Sequence, residues 1–191
     1  LERKLLKSKL KGLKYSSPMR IYPQTLLRKT EYMKQSHLPL NAVVRSARVD
    51  DVSFISNIVN KHAEKGIMLP RPISRIYDNV RDYVVVEIDG EIAGCGALHV
   101  MWSDLAEMRS LAIRDEYISK GLGRPIVEAL LADAKNLGIE KVFVLTYNDE
   151  FFRHMGFTDI DKSELPHKIW TECINCIHFP DCDEVALIVK V

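Results

Sequence analysis

RSLAIRDEYISKGLGRPIVEALLADAKNLG, Arg109 to Gly138, is the stretch whose reading decides the fold. An apolar run gives way to charged residues, then to Lys120-Gly121-Leu122-Gly123-Arg124, then to a pattern of helical period. Two glycines and two cations where a strand hands over to a helix suit a phosphate. Amides at a helix start have no intrahelical partner, the helix dipole adds positive charge there, and glycine admits an anion closely. The helix is expected over about Gly121–Asn136, with Ile126, Leu130 and Ala134 on one side and closure at Gly138. Two common phosphate motifs fail. A dinucleotide fingerprint needs a third glycine where Ile126 stands, and a nucleotide-triphosphate loop needs Lys-Ser/Thr where the chain has Arg124-Pro125.

Upstream, YVVVEIDGEIAGCGALHVMW reads as two strands round Asp89-Gly90, a strong hairpin signal, and Leu105–Ile113 reads as a third strand. NAVVRSARVDD suggests a strand followed by an aspartate cap, and Val52, Ile55, Ile58 and Val59 mark a helix ending at Gly66. LPRPISRIYDNVRD suggests a loop and a short helix with Pro72 in its first turn. Downstream come the buried strand KVFVLTY, a short helix in EFFRHMGF and a last strand in DEVALIVKV. The order β-α-α-β-β-β-α-β-α-β predicts an α/β or α+β sandwich with a mixed central sheet, not a doubly wound nucleotide fold.

At 191 residues, with 47% hydrophobic and 28% charged residues, the chain has the composition of one soluble globular domain. No apolar run reaches the roughly 18 residues of a membrane span, and the first residues are too charged for a signal peptide, so a cytoplasmic protein without membrane contact is expected. Residues 1–41 hold ten Lys and Arg against Glu2 and Glu31, a net +8 that leaves −7 on the rest. This basic leader, helical or disordered in part, is read as a solvated extension. Contact with RNA is disfavoured because aromatics are not interleaved among its cations. Because the sequence begins at Leu1, a fused upstream segment stays open, as does a homodimer.

EMRSLAIRDEYISKGLGRPIVEALLADAKNLGIEKVFVLT and FFRHMGF resemble the two central motifs of the GNAT acyl-CoA N-acyltransferase superfamily, over about residues 42–191. The pattern Arg/Gln-x-x-Gly-x-Gly/Ala maps to Ile118-Ser119-Lys120-Gly121-Leu122-Gly123. GIMLPR, GEIAGCGALHV, AEMRSLAI and LPHKIWTEC further resemble the short, single-domain N-acetylglutamate synthases that open arginine biosynthesis. The resemblance implies a mixed sheet splayed between two strands and flanked by helices. It implies that Ser119, Lys120, Gly121, Leu122, Gly123 and Arg124 hold the diphosphate of acetyl-CoA, and that Leu111, Ala112 and Ile113 pair with its pantetheine arm. Amine and thioester would meet where the strands of Leu105–Ile113 and Val142–Tyr147 diverge. Two departures stand out. Ile118 replaces the usual Arg/Gln, which removes a side chain but no backbone donor. Phe152 replaces the tyrosine that protonates the thiolate in many relatives, and the short synthases tend to share that phenylalanine.

Acyl transfer to an amino acid needs a base, because the amine is protonated at neutral pH. Glu107 in AEMRSL resembles the strand glutamate that serves several relatives as base; otherwise it is an ion-paired residue beside Arg109 on the same face. Tyr147 and Ser110 serve either the departing thiolate or local hydrogen bonding. The two carboxylates of L-glutamate call for fork-like cations, and Arg71, Arg109 and Lys168 are the candidates, each with a surface ion pair as the alternative. Arg109 is best placed, because strand alternation points it the way Glu107 points. Cys173-x-x-Cys176 with Cys182 and either His178 or His167 permits zinc, but one CxxC without its partner pair is a weak pattern, so no metal is favoured. Cys95 reads as a buried strand residue, and His62, His99 and His154 as packing or surface histidines. Trp170 and Phe179 read as apolar cover for the 163–182 loop. The same chemistry on another amine or a protein N-terminus, and a degenerate acyl-CoA sensor, remain the alternatives.

Overall fold

The computed structural model describes residues 41–165 and 181–191. Residues 1–40, Lys168, Cys173, Cys176, His178, His167, Trp170 and Phe179 lie outside the described residues. The hairpin at the centre of the sheet forms where Asp-Gly demands it: β2 (Tyr83–Ile88) and β3 (Glu91–Val100) flank Asp89 and Gly90, both at positive φ, 52° and 84°. That pair of angles matches the right-handed twist of the strands it joins. β1 (Ala42–Ser46) pairs with β2, and β4 (Leu105–Ile113) with β3, all antiparallel. β5 (Lys141–Thr146) lies parallel to β4; β7 (Val185–Lys190) returns antiparallel to β5, and β6 (Thr158–Asp159) closes the edge. The order is β1-β2-β3-β4-β5-β7-β6, the mixed sheet the sequence predicts. Only β6 is additional. Its two exposed residues are too few to show a period.

Alternation gives this sheet two apolar faces. Val85 and Val86 are both fully buried, yet they belong to different clusters because consecutive strand residues point oppositely. On one side α1 (Val52–Glu64) sets Val52, Ile55, Ile58 and Val59, with Ile76 of α2 (Ile73–Asp78), against Val85, Cys95 and Ala97. On the other, α3 (Gly123–Leu137) sets Ile126, Val127, Leu130 and Ala134 against Val86, Leu98, Ala106, Met108 and Val142. Each fully buried aliphatic side chain contributes about 1.5–3 kcal/mol. Helix and sheet approach closely enough that a Cβ on Gly96 would lie 2.8 Å from Ile126 Cγ2. A short helix α4 (Asp149–His154) follows β5, and its Phe152 meets Phe151 and Phe157 edge to face.

The aspartate expected to cap α1 does something else. Asp51 makes no side-chain cap bond to that helix. Its carboxylate accepts from Arg45 Nη1 and Nη2 at 2.6 and 3.0 Å, and from the Arg48 amide at 2.7 Å. It thereby ties β1 to the entry of α1, a contact invisible to a helix-start signal. The Arg45 guanidinium holds the Asp51 carboxyl below the usual carboxylate range. A depressed carboxylate stabilises fully above its unfolded pKa, about 3.9, and the contribution fades as pH falls through the lower folded value. Asp51→Asn is expected to cost about 1–2 kcal/mol at pH 7, at the lower end because Arg45 keeps partial exposure and Glu87 as a second partner. Urea melts should show the deficit narrowing as pH falls below the unfolded value of about 3.9; a deficit constant from pH 7 to 2.5 would refute the assignment.

Candidate active site

β4 and β5 stay together for three residue pairs only: Leu105 with Lys141, Ala106 with Val142, Glu107 with Phe143. Beyond Glu107 the two strands share no pairing, while β4 runs on to Ile113 and β5 to Thr146. A wedge opens whose β4 wall offers backbone groups to an extended ligand, as a sheet edge does. Glu107 stands at its apex.

The wall is also bent. Cys95 pairs with Ala112 and Ala97 with Arg109, so Gly96 faces both Ser110 and Leu111, and β4 carries one residue more than β3 there. Ser110 takes the strain, with φ of 55°; left-handed backbone at a serine costs on the order of 1–3 kcal/mol and persists where its surroundings impose it. Two neighbours hold it. The Tyr83 hydroxyl donates to Ser110 Oγ at 3.4 Å, and the Cys95 thiol donates to the Ser110 carbonyl at 3.7 Å. Burial pushes the Cys95 thiol up to about 12, so it keeps its proton.

Glu107 and Arg109 share a face, as alternation predicts, with Arg109 Nη1 3.7 Å from Glu107 Oε2. Their side chains are only 14% and 8% exposed, so the pair is largely buried rather than solvated. Arg71 approaches the same region from the loop between α1 and α2. Asn60 of α1 fixes its backbone, accepting from the Arg71 amide at 3.0 Å and donating to the Arg71 carbonyl at 3.1 Å. Both guanidinium groups act on the Tyr83 phenol, opposing the rise that burial imposes on its pKa. The Tyr83 hydroxyl thus meets Ser110 directly, while Arg71 and Arg109 act on it only through their charge. The sequence reading did not include Tyr83; its one signal is the aromatic start of a strand otherwise made of valines.

The glycine bend follows the end of β4. The carbonyl of Ile113 lies 2.7 Å from His62 Nε2, and Lys65 bonds Asp115 at 2.7 Å, so α1 anchors the approach to the bend. Ser119 and Gly121 have φ of 64° and 77°, and Leu122 returns to helical angles. A left-handed residue followed by a right-handed one, as at Gly121 and Leu122, is the backbone geometry from which anion nests are built, here at the start of α3. A Cβ on Gly121 would meet nothing within 4 Å, so backbone conformation is what requires glycine. Lys120 and Arg124 are exposed beside it, Lys120 over the Tyr117 ring and Arg124 3.6 Å from Glu128. Ile118 is 51% exposed.

Tyr147 lies just past β5, and its hydroxyl donates to Asp183 at 2.8 Å. Loss of solvent and that carboxylate both raise its pKa, which weakens it as an acid. Phe152 is buried and has no proton to give. Cys182 Sγ lies 3.9 Å from Glu184 Oε2. No helix among the described residues is long and apolar enough to cross a membrane. A separate cavity of about 740 Å³ lies between α1, the β2–β3 hairpin and Arg114–Glu116, and it touches neither Glu107 nor the bend.

Residues 58–157 match the family model described as Acetyltransferase (GNAT) family. An uncharacterized N-acetyltransferase of Chlorobaculum tepidum is 43% identical over 145 residues, 76% of this chain and 94% of the relative. An amino-acid acetyltransferase of Mycobacterium tuberculosis is 40% identical over 133 residues, 68% of this chain and 76% of the relative. Among solved structures, a Mycobacterium tuberculosis protein crystallised in complex with CoA superposes with a TM-score of 0.69 at 33% identity, covering 78% of this chain and 99% of that one.

Proposed function

Because the chain belongs to the GNAT acetyltransferase family, we propose that it transfers the acetyl group of acetyl-CoA to the α-amine of L-glutamate, giving N-acetylglutamate. One observation carries this reading: the Glu107–Arg109 pair stands where β4 and β5 part, and the glycine bend lies past the far end of the same strand. The amides of Gly121, Leu122, Gly123 and Arg124 would hold the coenzyme's diphosphate, with Ser119 and Lys120 beside them. The backbone of Leu111, Ala112 and Ile113 would pair with the pantetheine arm, which leads the thioester up the wedge to Glu107. Arg71 and Arg109, with Lys168, would receive the two carboxylates of the acceptor; charged fork geometry suits carboxylates better than any neutral lining.

In this reading Glu107, directly or through one water, takes a proton from the ammonium group of the acceptor. The freed nitrogen attacks the thioester carbon, forming the N–C bond. Collapse of the tetrahedral intermediate breaks the C–S bond, and the second nitrogen proton ends on the sulfur. Ser110 and Tyr147 are the candidate hydroxyls for this last proton. Ser110, on the strained bulge, is the better placed, since Tyr147 is bonded to Asp183.

An acceptor screen tests the assignment. With acetyl-CoA and thiol release as the readout, L-glutamate is expected to give the highest kcat/KM among amino acids, polyamines and N-terminal peptides. Higher activity on a polyamine or peptide would replace the acceptor. Coenzyme binding by titration with no turnover on any amine would replace the enzyme reading with that of a sensor.

A further inference from the structure

The reaction leaves a proton behind. One ammonium and one thioester become one amide, one thiol and one free proton, because the nitrogen loses two protons and the sulfur keeps one. The free proton is the one Glu107 takes before attack, so this inference rests on the assignment of Glu107 as base. Glu107 is 14% exposed, lies against Arg109, and faces a wedge that substrates would fill. It needs a way out for that proton in every cycle.

His99 supplies one. It is the Cα partner of Glu107 across the β3–β4 ladder, so both side chains leave the same face of the sheet. Directly paired residues there have Cβ atoms about 4.5–5.5 Å apart, within reach of an imidazole and a carboxylate. On its other side, His99 Nδ1 lies 2.8 Å from Asp82 Oδ2, in the turn that precedes β2. A carboxylate at Nδ1 takes the N–H of that nitrogen and leaves Nε2 with a bare lone pair. Both side chains keep a path to water, at 29% and 26% exposure. Charged groups beside His99 include Asp82 from the turn and, on the adjacent strand, its cross-strand partner Glu107 with Arg109 two residues on.

We propose that His99, oriented by Asp82, accepts the proton from Glu107 and releases it to solvent, resetting the base between turnovers. Proton transfer runs from the Glu107 carboxyl to His99 Nε2 and then to water, with no change in any other bond. His99 touches no reacting atom; it acts through Glu107.

The experiment uses the full chain with saturating acetyl-CoA and L-glutamate. His99→Gln is expected to lower kcat about tenfold or more, leave both KM values within about twofold, and recover most of the loss in added imidazole. Asp82→Asn is expected to lower kcat by about threefold and move the acid limb of kcat to lower pH, because losing the anion destabilises the imidazolium. In a Glu107→Gln background, His99→Gln should change kcat by less than about twofold. Wild-type kcat in His99→Gln, a deficit that imidazole does not repair, or an unmoved acid limb in Asp82→Asn would overturn the relay. If His99→Gln fails to fold, the Asp82→Asn profile decides. If Glu107→Gln alone turns over at the wild-type rate, the base assignment itself has failed; if it is slow while His99→Gln is fast, only the relay has.

Discussion

Glu107→Gln is expected to lower turnover about 100-fold or more, the usual worth of a positioned base, with the KM for acetyl-CoA within about twofold. The substitution keeps the volume and planar shape of the side chain, so β4 and its register should survive. What is lost is the lone pair that deprotonates the ammonium group at the apex of the wedge. The remaining reaction then depends on the small fraction of amine that is neutral in solution. Its rate should climb log-linearly with pH up to the amine's own pKa, where the wild type shows a plateau. A plateau kept in the mutant at a hundredth of the wild-type rate would place the defect in geometry instead. Wild-type turnover would remove Glu107 from the mechanism.

The second large effect is expected at Arg109. Arg109→Gln should raise the KM for L-glutamate about 10- to 100-fold, since hydrogen bonds to a charged group are worth about 1.5–3 kcal/mol. The coenzyme side should barely respond, because the bend lies beyond Ile113. A second readout separates substrate binding from a merely structural ion pair. Arg109 lies 3.7 Å from Glu107, and removing a cation beside a carboxylate makes that carboxylate a stronger base. The acid limb of kcat/KM should therefore move to higher pH. An unchanged KM with an unchanged pH profile would show that Arg109 serves neither acceptor nor base.

Local chemistry made much of this architecture readable. Asp89-Gly90 dictates its own turn, and the period of Ile126, Leu130 and Ala134 fixes the buried side of α3 whatever the rest of the chain does. Glu107 and Arg109 could be paired because a two-residue spacing on one strand needs no knowledge of the neighbouring strand. Most of the features that escaped depend on register between distant segments. The bulge at Ser110 exists only in relation to Gly96, and Tyr83 reaches Ser110 only once β2, β3 and β4 are aligned. His99 looked like a surface or packing residue for the same reason: its two partners are 17 residues before it and on the next strand. Asp51 carried the pattern of a helix cap, and a guanidinium six residues earlier claimed it. Short-range rules do not see a competing partner that tertiary packing brings in.

All of the chemistry above requires that the coenzyme enter along β4 with its diphosphate on the glycine bend. A crystal structure of the protein with acetyl-CoA tests this most directly. The account predicts diphosphate oxygens at about 2.7–3.2 Å from the amides of Gly121, Leu122 and Gly123, with the thioester in the wedge beside Glu107. A coenzyme bound elsewhere, with the bend empty or closed by its own side chains, would contradict it.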